Sequence, residues 1–377
     1  MKAPRILSTA AVTAALLCTS LATTNLSASA TASKPVPSAV GTVSVALRGL
    51  TDNKPVNPGY HGNVIFGATI ANGRGALQEY VTTGRYAGTV RTINTFATAP
   101  SDVSKGPGGS YWILFGAAPE DGPVPAGSPA RWLYNWSPSH SGTLRKVANL
   151  GAYAAAHPDP NDLENNPSDS NPYGLASLGD GSVLVADAAA NAVRRVWLSG
   201  RIQTVAQLPV ETISTAKAGN PSLPPALPAE AVPTSVTVGP DGAWYVGELK
   251  GYPFAPGASR IWRIKAGTHD AVCGDTSRKA RCKLYKTGFT SIIDLTFDGS
   301  TLYVLELAKD GVLAVEGGDP MSPPPGVLLK LSHGKRTEVA AGQLTLPGGV
   351  ATNSNGHGVF VTDFQLVPQA GRLLKIS

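Results

Sequence analysis

From about residue 43 onward the apolar positions alternate with polar ones in short runs, and the runs are cut by glycine, proline and Asp-Gly or Asn-Gly steps. A period of two reads as half-buried strand. Two such runs across Asp-Gly read as a tight hairpin, because those residues accept positive φ at little cost. The clearest case is Asn171-Pro-Tyr-Gly-Leu-Ala-Ser-Leu-Gly-Asp-Gly-Ser-Val-Leu-Val-Ala-Asp187: a Pro-led strand of small residues, an Asp-Gly turn, and a second strand ending in an acid. The same unit returns at 232–248, 292–306 and 346–363, and a fainter copy without the acid stands at 100–115. A second, outer hairpin follows each unit, most plainly over 194–206, with counterparts at 143–147, 260–264 and 327–340.

Four strands per unit, with anchor residues Val103, Leu175, Val236, Leu295 and Val350 spaced 55 to 72 residues apart, are the signature of blades packed around an axis. Segments 62–68 and 88–93 imply a first unit, which makes six. The chain stops after only three strands of the last unit, at 371–377, and Val43–Leu47 can supply the fourth. Ring closure of this kind removes an open sheet edge that would otherwise pair with other chains. The expected fold is therefore all-β, a six-bladed β-propeller closed by an N-terminal strand. Its first strands are expected to carry small residues such as Gly174, Ser235 and Gly349, because they crowd about one axis.

Composition narrows the setting. Lys2 and Arg5 precede an uncharged apolar run over 6–22, and Ala28-Ser29-Ala30 and Ala30-Thr31-Ala32 offer small-x-small cleavage sites. This order is that of a secretory signal peptide, expected over 1–32, followed by a short linker over 33–40 and one propeller domain over 41–377. Glycine (42) and proline (31) together make up nearly a fifth of the 377 residues, which argues against long helices. The formal charge of +6 is spread along the chain, without the dense patch that nucleic-acid binding needs. No later run approaches a membrane span. A monomer is expected, and the mature cysteines, Cys273 and Cys282, bracket a polar segment and read as a disulfide in an exported protein.

Segments 169–175, 231–236, 245–248 and 288–295, together with Lys250-Gly-Tyr-Pro-Phe-Ala-Pro-Gly257 and Arg260-Ile-Trp-Arg263, resemble the ScyD/ScyE family of secreted bacterial propellers. The resemblance covers roughly 140–377. It implies an NHL- or TolB-like six-bladed propeller and no settled activity. Near the start the chain departs from the family pattern: Asn57-Pro-Gly-Tyr-His61 and Ile65-Phe-Gly-Ala-Thr69 stand where a turn and an acid-ended strand are usual.

Two groups of residues carry candidate chemistry. The acids ending second strands, Asp187, Glu248, Glu306 and Asp363, read as a hard-cation ring or, in the reading that their repetition favours, as acceptors for backbone N–H groups in their own turns. Around the starts of inner strands stand Asp102, Asp169, Ser170, Asn171, Thr234, Ser235, Thr290, Ser291 and Asp294, at the expected channel mouth. Of these, Asp169, Asn171, Thr234, Ser235 and Asp294 are the ligand candidates, and Asn171 and Asp294 the candidate metal ligands, with Ca²⁺ the divalent cation such oxygens suit. No histidine cluster and no Gly-x-Ser-x-Gly elbow is present. The sequence therefore points to an extracellular binding or scaffold protein for a small molecule, glycan or protein. The alternative is a metal-dependent hydrolase or lyase, like sugar-lactone hydrolases, acting in the channel.

Overall fold

The computed structural model describes residues 42–51, 55–70, 73–117, 127–139, 142–316, 322–353, 358–367 and 369–377. The signal peptide and linker expected over 1–40 lie outside the described residues. Six four-stranded antiparallel blades follow one another in chain order. Blade 1 is β2 (Val56–Pro58), β3 (Val64–Thr69), β4 (Gly75–Tyr80) and β5 (Val90–Phe96). Blade 2 is β6 (Asp102–Lys105), β7 (Tyr111–Leu114), β8 (Trp132–Trp136) and β9 (Leu144–Asn149), and helix α1 (Leu150–Ala156) leads out of it. Blade 3 is β10 (Pro172–Ser177), β11 (Ser182–Asp187), β12 (Ala192–Trp197) and β13 (Ile202–Gln207).

A separate hairpin, β14 (Glu211–Ser214) with β15 (Ala226–Ala229), precedes blade 4, which is β16 (Pro233–Val238), β17 (Trp244–Glu248), β18 (Ser259–Ile264) and β20 (Cys282–Phe289). Blade 5 is β21 (Ile292–Asp298), β22 (Thr301–Glu306), β23 (Val327–Ser332) and β24 (Lys335–Val339), with the short helix α2 (Val312–Glu316) between its hairpins. Blade 6 is β25 (Gly349–Thr352), β26 (Val359–Asp363) and β27 (Gly371–Ile376), completed by β1 (Val43–Leu50). Strand β1 runs antiparallel to β27 from Val43↔Ile376 to Leu50↔Gly371, three residues further than the sequence pattern marks. The ring is thus closed by its N-terminal strand.

The turns form where the sequence places them. Gly181 and Gly242, after Asp180 and Asp241, sit at φ 82° and 74°, a conformation that a Cβ would strain. The core lies between blades. Trp112, Leu114, Val183 and Val185 fill one seam, and Leu50, Val56, Phe66 and Phe360 fill the seam that closes the ring. The small residues of the inner strands have a defined cause. A Cβ on Gly174 would stand 2.5 Å from the Thr234 carbonyl oxygen, and one on Gly349 2.3 Å from Pro55 Cα. The backbone of the next blade occupies that space.

Blades 3 and 4 are also joined at their outer edges. The connection from β18 to β20 sends out β19 (Ala271–Val272), which pairs in parallel with β13. The Cys273–Cys282 disulfide forms and holds this strap, with both cysteines buried.

Candidate functional site

The four acids ending second strands are buried, and three of them do the same work. Asp187 accepts from Asn171 N–H (2.8 Å) and Ser170 Oγ (2.8 Å), Glu306 from Thr290 N–H (2.8 Å), and Asp363 from Thr345 N–H (2.7 Å). In each case the donor belongs to the segment entering the same blade's inner strand. Burial pushes Glu306 up to about 7 and raises Asp187 and Asp363. Glu248 differs: it accepts from Trp262 Nε1 (3.0 Å) and faces the buried Lys250 ammonium at 3.0 Å.

Among the ligand candidates at the strand starts, three are spent on joints between blades. Asp169 pairs with Arg131 at 2.8 Å, the Asn171 side-chain oxygen accepts from Ala117 N–H at 3.0 Å, and Thr234 Oγ1 donates to the Ile292 carbonyl at 2.7 Å. Ser235 and Asp294 are brought together. Ser235 Oγ donates to Asp294 Oδ1 (2.8 Å), Leu295 N–H donates to the same oxygen (2.8 Å), and Val350 N–H donates to Oδ2 (2.8 Å). One carboxylate thus ties blades 4, 5 and 6.

Across the axis the arrangement repeats. Asn57 Nδ2 and Val103 N–H donate to Asp102 Oδ1 (both 2.7 Å), and Leu175 N–H donates to Oδ2 (2.6 Å), which ties blades 1, 2 and 3. The six register-equivalent positions therefore read Asn57, Asp102, Gly174 and then Ser235, Asp294, Gly349, an internal two-fold pattern in a six-fold ring. Inner strands of neighbouring blades touch all the way round, so blades 2 and 5 face each other. Burial pushes Asp294 up to about 7 against the pull of its three donors. Burial, and then the charge of Asp294, hold Asp102 well above the usual carboxylate range.

On the hairpin-turn side of this carboxylate layer the axis opens into a chamber of about 390 Å³, within the usual range for small-molecule sites. Every blade contributes to it: Pro58, Lys105, Ser177, Thr237, Asp294 and Thr352 are examples from blades 1 to 6. The chamber therefore lies on the turn side of the strand starts where the sequence analysis places the channel mouth. Asp294 lines it, whereas Asp169, Asn171, Thr234 and Ser235 do not. Lys105 escaped the sequence reading because the unit at 100–115 is the faintest copy. The available signal was that Asp102 precedes its anchor Val103 as Asp294 precedes Leu295.

Oxygen donors here are largely committed. The Asn171 oxygen is occupied by Ala117, Asp294 already accepts three hydrogen bonds, and no group of three or more His, Cys, Asp or Glu suited to a metal ion forms among the described residues. The donor set does not fit an all-protein metal cage.

No family model matches the chain, and no curated protein does. Solved structures do. A gluconolactonase from Xanthomonas campestris superposes at a TM-score of 0.53 with 12% identity, over 89% of this chain and 90% of that one. A putative oxidoreductase (glucose dehydrogenase) from Thermus thermophilus gives 0.51 and 13%, over 89% and 100%. The calcium-binding protein regucalcin from Agrobacterium tumefaciens gives 0.50 and 12%, over 90% and 94%. At these identities the likeness is one of fold. The chain is a six-bladed β-propeller of the shape shared by these proteins, with a chamber of mixed polar and apolar lining on its axis.

Proposed function

We propose that this protein is a secreted propeller of the ScyD/ScyE type that binds a small polar molecule in its axial chamber and does not transform it. The observation that carries the reading is the chamber itself, to which all six blades contribute and which holds, among the described residues, a single carboxylate, that of Asp294. A hydrolytic site needs a nucleophile with a base in reach, or a metal-bound water. The described lining offers one carboxylate, Asp294, which accepts three hydrogen bonds and keeps about one acceptor site free, and hydroxyls without a histidine beside them. Export is supported by the leader-like first 32 residues and the buried disulfide, and among the described residues no helix is long and apolar enough to cross a membrane.

The test is a thermal-shift screen of sugars, sugar lactones, nucleosides, amino acids and peptides on the mature chain, run beside Ser177→Trp. Ser177 is half-buried on the chamber wall, so a Trp there fills the space. A ligand that stabilises the protein and is lost in Ser177→Trp supports the reading, and one that binds Ser177→Trp equally well refutes it. Metal analysis addresses the hydrolase or lyase alternative: one divalent ion per chain, lost in Asn171→Ala or Asp294→Ala, would favour that enzyme over the binding protein.

A further inference from the structure

Among the described lining residues of the chamber two are charged, Asp294 of blade 5 and Lys105 of blade 2, and those blades face each other. Neither has a partner of opposite charge among the described residues. Asp294 accepts from the Ser235 hydroxyl and two backbone N–H groups, all neutral. The ammonium of Lys105, a half-buried residue, has among the described residues only the face of Tyr60, 5.9 Å from the ring centre. A carboxylate and an ammonium sharing one small cavity would pair directly if their strands brought them level. Here they are kept apart by register: Asp102 is the equivalent of Asp294, and Lys105 lies three residues further along β6. Three strand residues span roughly 10 Å along the axis, less the swing of the lysine side chain.

Resting on the chamber-binding reading above, we propose that the ligand is a zwitterion of dipeptide size, its ammonium on Asp294 and its carboxylate on Lys105. Charge-assisted hydrogen bonds at both ends would fix its direction. In a single α-amino acid the two charges stand too close together to reach both groups. The same lining includes Ser177, Thr237 and Thr296, whose hydroxyls can donate and accept and so suit a peptide N–H or C=O. The apolar walls, Val236, Leu295 and Phe297, accept side chains. The same pair of charges discriminates against other classes. A dianion meets Asp294, a dication meets Lys105, and a neutral polyol leaves both charges unmatched in a confined space.

Calorimetric titration of the mature protein with L-alanyl-L-alanine and other free dipeptides, their N-acetyl forms and their C-terminal amides tests this. Free dipeptides are expected to bind, and capping either end is expected to weaken binding about tenfold or more. Lys105→Met should weaken the free dipeptide by a similar factor and leave the C-terminal amide unchanged, while Asp294→Asn should weaken the free dipeptide and spare the N-acetyl form. Equal binding of free and capped dipeptides, an equal loss for both in Lys105→Met, or no dipeptide bound at millimolar concentration would each overturn the zwitterion. A sugar or nucleoside that binds, is lost in Ser177→Trp and ignores Lys105→Met would overturn it while the chamber reading stands. Dipeptide binding untouched by Ser177→Trp would instead overturn the chamber reading.

Discussion

Replacing Asp294 by asparagine gives a measurement whose sign changes with pH. The swap keeps size and shape but removes the charge and turns one oxygen into an NH₂ group. Oδ1 can still accept from Ser235 and Leu295. At the other position the new NH₂ faces Val350 N–H, so two donors meet and the backbone group is left buried without an acceptor. That costs about 1–3 kcal/mol at any pH. The native side chain contributes the pH dependence. Its folded pKa, about 7, lies above the ordinary aspartate value of 3.8, so the stability it confers is fully present below the unfolded value and is lost as pH rises through about 7.

Between about pH 5 and pH 7 that loss amounts to roughly two units at 1.36 kcal/mol each, or about 2.7 kcal/mol as an upper bound. Water in the chamber reaches part of this side chain and reduces the figure toward about 1–2 kcal/mol. The asparagine variant has no such loss. Removing the Asp294 charge also lets Asp102 relax downward, which flattens the profile further. Denaturant unfolding of both proteins near pH 5 and near pH 8 should therefore show Asp294→Asn clearly less stable in acid, with the deficit shrinking or vanishing in base. A deficit that is constant, or that grows with pH, would refute the assignment of a costly buried charge at the axis.

Three further outcomes follow from the packing. Gly349→Ala places a Cβ 2.3 Å from Pro55 Cα, backbone against backbone, and should cost about 1–3 kcal/mol or more, read as a fall in melting temperature; an unchanged melting temperature would mean the blade 6–blade 1 seam is looser than described. Cys273→Ser with Cys282→Ser opens a loop of sequence separation 9 and should remove about 2–3 kcal/mol, and because both cysteines are buried the native disulfide should resist mild reductant that cleaves it at once in urea. Deleting residues 41–50 strips β1 from β27 and bares the outer edge of blade 6, so concentration-dependent aggregation is expected in light scattering; a truncated chain that stays monomeric with a normal melt would contradict closure by β1.

The sequence by itself determined the repeating unit, the number of blades and the closure of the ring. Those features are local or nearly so: alternation along one strand, an Asp-Gly turn between two strands, and a last unit one strand short. Val103, Leu175, Val236, Leu295 and Val350 each fall on an inner strand because the same short pattern precedes each of them. The polar residues near the axis were legible only as a set. Which of them meet was decided by contacts 38 to 73 residues apart in the chain, as when Asp102 takes the Asn57 amide and the Leu175 N–H. A one-dimensional pattern does not contain that information. It arises when six twisted sheets close and their inner strands settle into a common register. For the same reason Asp169, Asn171 and Thr234 became joints between blades and Lys105 came to face the chamber from the blade opposite Asp294, whereas Glu248 took local partners of its own blade, Lys250 just after it and Trp262 on the next strand.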